Sequence, residues 1–142
     1  MALVDPEVGA EYERSEDMPH YQELEAFEAR LGADATARVV DRLNSALDQV
    51  RIGRSVRAAD LIPGRTDVWQ PPYDAIYSTC QRTPGVTDPY KMAALRLGQM
   101  VKATVIDRAN DWWRIFRTSE VRRSGGEEVP FALYERCGAA RP

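Results

Sequence analysis

Apolar residues at three- and four-residue spacing dominate the first half of the chain. From about Met18, Tyr21, Leu24, Phe27 and Leu31 form one stripe, the spacing of an amphipathic helix. Gly32 stands where a helix C-cap glycine is expected. Asp34 is placed to cap a second helix, with a stripe of Val39 or Val40, Leu43, Ala46 or Leu47, and Val50. Arg38, Asp41, Arg42 and Asp48 fill its other faces, and Gly53 offers the stop. So short a break between two amphipathic helices predicts an antiparallel helical hairpin.

Residues 53–72 are rich in turn formers, and Leu61 and Ile62 are placed to pin this connection to the core. Tyr73–Cys80 alternates like a strand, but eight residues fit a helical turn equally well. Asp88-Pro89 is a helix start, an acid at the N-cap and proline at the first helical position. That helix is expected to be short, running to about Leu97 and closed by Gly98. Gln99–Asp107 is β-branched (Val101, Thr104, Val105, Ile106), which predicts a strand. Ala109-Asn110 then makes a turn, and Trp112–Thr118 returns. Val121–Arg123, a Ser124-Gly125-Gly126 turn and Val129–Tyr134 suggest a second hairpin, with a frayed tail from Gly138 to Pro142. The expected fold is α+β: an N-terminal antiparallel helical hairpin packed on a small C-terminal antiparallel sheet, with one short helix between. A single domain over 18–137 follows an acidic, extended or partly disordered arm over 1–17.

Charge sharpens that picture. Residues 1–28 hold nine acids against Arg14 alone, a net of −8, so with a chain total of −3 the remainder is +5. An acidic segment with Glu11, Glu13, Glu16 and Asp17 at its centre is set either to lie over a basic body or to meet a basic partner. The bases are 17 arginines against Lys91 and Lys102, a bias that codon usage alone can produce. Cys80 and Cys137 belong to no C-x-x-C pair, and the N-terminus has no basic, apolar leader pattern. A cytoplasmic protein with two reduced thiols, no membrane partner and no cofactor is the expectation.

Candidate chemistry is sparse. His20, the one histidine, sits at the entry to the first helix, where a surface or capping role suffices. The acids lack the order of a calcium loop, Glu23 and Glu25 point apart on their helix, and no metal site is expected. Asp107 and Asp111 flank a turn, where side-chain capping explains them. Gly64-Arg65-Thr66-Asp67 is a lone glycine in a turn, not a phosphate loop. Cys80 reads as a buried structural thiol.

The densest set is Arg108, Trp112, Trp113, Arg114, Phe116, Arg117, Arg122 and Arg123. Period-two alternation places Trp112, Arg114 and Phe116 on one face, and Trp113, Ile115 and Arg117 on the other. One face must be core; the other needs a cover from this chain or another. Trp112, Arg114, Phe116, Arg117, Arg122 and Arg123 are therefore the candidate partner-binding residues, since Trp, Phe and Arg dominate interface hot spots. A non-catalytic interaction or assembly protein, binding another protein or itself, is the leading expectation. A small ligand-binding domain or enzyme comes second, its pocket built from Trp69, Tyr73, Tyr77 and Asp107. A nucleic-acid-directed protein such as a small toxin comes third, because a pI of 5.3 is a poor footprint for phosphate binding.

Overall fold

The computed structural model describes residues 2–62, 69–121, 126 and 128–139. In chain order these hold β1 (Leu3–Asp5), β2 (Ala10–Tyr12), a 3-10 turn at Ser15–Asp17, α1 (Tyr21–Leu31), α2 (Ala33–Asp48), β3 (Ser55–Arg57), a 3-10 turn at Ala58–Leu61, α3 (Asp74–Arg82), α4 (Pro89–Ile106), β4 (Asp111–Val121) and β5 (Glu128–Ala139). The fold mixes helix and sheet. The five strands form one sheet in the order β2-β1-β4-β5-β3, antiparallel except where β1 runs parallel to β4.

The two N-terminal helices stand where their apolar stripes put them. Gly32, at φ +97°, is the single residue between them. Its N–H donates to the Glu28 carbonyl and its own carbonyl accepts from Thr36, so it closes one helix and opens the next. Asp34 lies in the first turn of α2, and the N-cap is Gly32 instead. Asp88 caps α4 as expected, its carboxylate accepting from the Lys91 N–H at 3.1 Å. Tyr73–Cys80, open between strand and turn, is helical, because Ile76, Thr79 and Cys80 share one buried face at helical spacing.

Three expectations fail, each for a physical reason. The helix from Pro89 does not stop at Gly98 but runs to Ile106, absorbing the expected strand Gln99–Asp107. A glycine inside a helix costs only about 1 kcal/mol. Burying Leu97, Met100, Val101, Thr104 and Val105 against the core outweighs that and the β preference of valine and threonine. The C-terminal sheet is accordingly one long hairpin, β4 on β5, from Asp111↔Ala139 to Val121↔Glu128, and Gly138 and Ala139 are part of it rather than of a frayed tail. Residues 3–12, expected in a loose acidic arm, form a hairpin on the sheet. Ala2 and Leu3 are buried, Leu3 aligns with Trp113 of β4, and Tyr12 closes the same row. Three-residue strands are too short to display alternation in sequence.

The core lies between helices and sheet. Leu3, Trp113, Ile115 and Tyr134 come from the strands, Leu24 and Phe27 from α1, Val39, Leu43 and Leu47 from α2, Ile76 and Cys80 from α3, and Met100, Val101 and Val105 from α4. α4 is the common element, touching α1, α2, α3 and β4. None of the described helices is long and apolar enough to cross a membrane.

Candidate functional site

The strand register sorts β4 by face. Trp113 and Ile115 point inward and are fully buried, whereas Trp112 and Phe116 are partly exposed and Arg114 is exposed. One level of the outward face reads Glu11, Val4, Arg114, Glu135, Ser55 across the five strands. The next level along pairs Phe116 with Leu133 and Leu133 with Arg57, and the one beyond pairs Thr118 with Phe131. Val4, Trp112, Phe116, Phe131 and Leu133 all stay outside the core cluster and its packed fringe. Two guanidinium groups lie over aromatic rings of this face, Arg114 over Trp112 and Arg57 over Phe131, each at 5.3 Å. Cys137 occupies the extra position of a bulge between Trp112 and Trp113. Burial and the neighbouring Glu135 carboxylate push its thiol up, away from the reactive thiolate.

Of the sequence-predicted partner residues, Trp112, Arg114 and Phe116 share this outward face. Arg117 does not. Its guanidinium turns to the core side and meets the fully buried Asp5 at 2.6 Å, while its N–H takes Glu7. Asp5 also accepts from the N–H groups of Glu7 and Val8, so one carboxylate shapes the β1–β2 turn and fixes it to β4. Arg122 and Arg123 lie outside the described residues. Val4, Arg57, Phe131, Leu133 and Glu135 complete the face and were missed. Their signal is weak, since only the alternation of Phe131, Leu133 and Glu135 with Ala132 and Tyr134 is visible in sequence.

Arg108 is also held within the chain. Its Nε meets both oxygens of buried Asp111 at 2.9 and 3.0 Å, and its Nη atoms reach Asn44 and Asp48. Arg136 approaches Asp111 from the other side, its Nε 3.1 Å from Oδ2 but not aimed as a hydrogen bond, and its Nη1 donates to the Val50 carbonyl.

The four residues expected to line a pocket are not brought together. Tyr73 is buried with its hydroxyl lacking a partner among the described residues, Trp69 and Tyr77 gather edge-on around Tyr90, and Asp107 lies at the end of α4. Asp107 accepts from both the N–H and the hydroxyl of Ser15, at 2.9 and 2.8 Å. It lines a cleft of about 170 Å³ with Tyr21, Glu28, Asn44 and Thr104, between α1, α2 and α4. Burial first, then the Asp107 and Glu25 charges, raise the Glu28 carboxyl above its usual range. His20 takes the N-cap position of α1 at φ +64°, with its ring 3.7 Å from Glu23. Glu11, Glu13, Glu16 and Asp17 are all exposed. No group of three or more His, Cys, Asp or Glu side chains able to hold a metal occurs among the described residues. Cys80 is buried in apolar surroundings, which raise its thiol.

Comparison with protein-family models, with curated proteins and with solved structures found no match to this chain.

Proposed function

We propose that this chain is a non-catalytic interaction protein that binds another protein chain through the outward face of its sheet. The observation that carries the reading is the set Val4, Phe116, Phe131 and Leu133, apolar and outside the core, bordered by Arg57, Arg114 and Glu135. That is the make-up of a hot-spot patch, aromatic and aliphatic centre with an arginine margin. In this reading α1 and α2 act as a helical hairpin that backs the opposite face, and two unpaired thiols suit a reducing compartment such as the cytoplasm. Size argues against the cleft around Glu28 and Asp107 as a small-molecule site, because it is about 170 Å³ and ligand pockets usually need about 300 Å³ or more. The groove of about 570 Å³ lined by Arg38, Asp41, Arg42 and Asp74 gathers none of the four residues expected to form a pocket. Nucleic acid is disfavoured because Arg57, Arg108, Arg117 and Arg136 all have acidic partners within the chain, so the described face carries arginines interleaved with acids rather than a basic stripe.

Hydroxyl-radical footprinting tests this. Phe116 and Phe131 should be protected in extract of the cells that make the protein, relative to Tyr90, which is exposed on α4. The paired substitution Phe116→Arg, Leu133→Arg should abolish the protection. Labelling in extract and in concentrated pure protein at the same rate as in dilute pure protein would overturn the reading.

A further inference from the structure

We propose that the occupant of the outward face is a second copy of this chain, docked sheet to sheet about a two-fold axis; the inference rests on the interaction reading above. Its basis is self-complementarity. Arg114 and Glu135 are directly opposed across β4 and β5, yet no ion pair joins them within the chain. The Arg114 guanidinium lies over Trp112 instead, and among the described residues the Glu135 carboxylate accepts a long contact, 3.6 Å, from the Cys137 thiol.

An axis parallel to the strands, set above the line between β4 and β5, exchanges the two strands of the facing copies. Every cross-strand pair of the hairpin then becomes a face-to-face pair. Arg114 meets the second copy's Glu135, and Glu135 meets the second copy's Arg114. Phe116 meets Leu133 and Thr118 meets Phe131, each twice by symmetry. This is the reciprocal pattern an isologous contact requires, with strands of the two sheets nearly aligned as in a β-sandwich. A different partner protein would demand no such match between neighbouring residues of one chain.

The hairpin supplies a second argument. Among the described residues β1 is in register with β4 at Trp113 and Arg114, and β3 with β5 at Leu133–Glu135. From Thr118↔Phe131 to Val121↔Glu128, no third strand lies beside the ribbon among the described residues. A two-stranded ribbon is marginal alone in water. The proposed axis stacks the two ribbons on each other, pointing the same way, so each covers the other. Strand spacing and rise give the contact roughly 500 Å² of plan area per copy, the low end for a specific interface. The association should therefore be concentration dependent.

The experiment is light scattering of the full-length chain from low to high micromolar concentration, alongside footprinting of Phe116 and Phe131. The mass should rise from 16 kDa towards twice that as both residues become protected. Arg114→Glu and Glu135→Arg should each hold the protein monomeric while its circular-dichroism spectrum stays that of the folded parent, and the two together should restore the dimer. A monomer at every concentration, a dimer whose outward face still labels fully, or a double variant no better than the singles would overturn the inference. A monomer whose face is nevertheless protected in cell extract would remove the second copy and leave the interaction reading standing. Absence of protection in both settings would end both.

Discussion

At the scale of single residues, adjacent positions have opposite fates that the sequence already separates. Trp112 and Trp113 differ only in parity along β4, and parity alone assigns one to the outward face and the other to the core. What parity does not reveal is which charged groups the chain uses internally. Parity sets Arg114 and Arg117 on opposite faces, but it does not show that Arg117 has an aspartate waiting, from a position more than a hundred residues earlier. Glu28 is a similar case, since nothing local distinguishes it from Glu23 or Glu25. In the fold it lies half-buried in the cleft with Asp107, which raises it from its ordinary value of 4.5. An acid raised in the native state contributes stability that is complete below its unfolded value and is lost as pH rises through the raised one. Glu28→Gln should therefore melt higher than the parent at neutral pH, with the gap closing below about pH 4. Melting curves across that range check it, and a gap that does not vary with pH would refute the assignment.

At the scale of elements, helices with a buried stripe were legible and short or mixed-signal elements were not. α1 and α2 announce themselves through Leu24, Phe27, Leu43 and Leu47, all buried. The second half of α4 does not, because Val101, Thr104 and Val105 favour strand locally and Gly98 looks like a stop. The helix persists since those residues fall on one buried face, and the Thr104 hydroxyl turns back to donate to the Met100 carbonyl at 2.7 Å. β1 and β2 escape notice because three residues carry no period, although their burial decides that the N-terminal acidic segment joins the body. Gly98 offers a test that separates a helix stop from a helix interior. Its backbone is not left-handed, and nothing lies within 4 Å of the position a Cβ would take. Gly98→Ala should stabilise the protein by about 0.5–1 kcal/mol, because alanine loses less backbone entropy in a continuous helix. Urea unfolding measures this; a comparable destabilisation is what a C-cap glycine would give, and would place the end of α4 near Leu97.

At the scale of the whole molecule, buried charge joins elements that the sequence keeps far apart. Asp111, only 4% exposed, opens β4 between Arg108 in the preceding loop and Arg136 near the end of β5. Those arginines reach Asn44, Asp48 and Val50 at the end of α2. One carboxylate thus ties the last turn of a helix to both strands of the main hairpin at its open end, and no sequence motif could show it, because its parts come from three separate stretches. Such a network adds little net stability when complete, since desolvating its charges offsets their attraction, but removing one member leaves the others buried and uncompensated. Asp111→Ala should cost about 3–5 kcal/mol for that reason. Replacing Arg108 and Arg136 by methionine in the same background should recover much of the loss, because no buried charge then lacks its partner. Denaturant unfolding of the two variants distinguishes this from a simple cavity effect. If the single variant loses less than about 1 kcal/mol, Asp111 behaves as a solvent-screened surface acid, and the junction of α2 with the hairpin must be held by apolar packing alone.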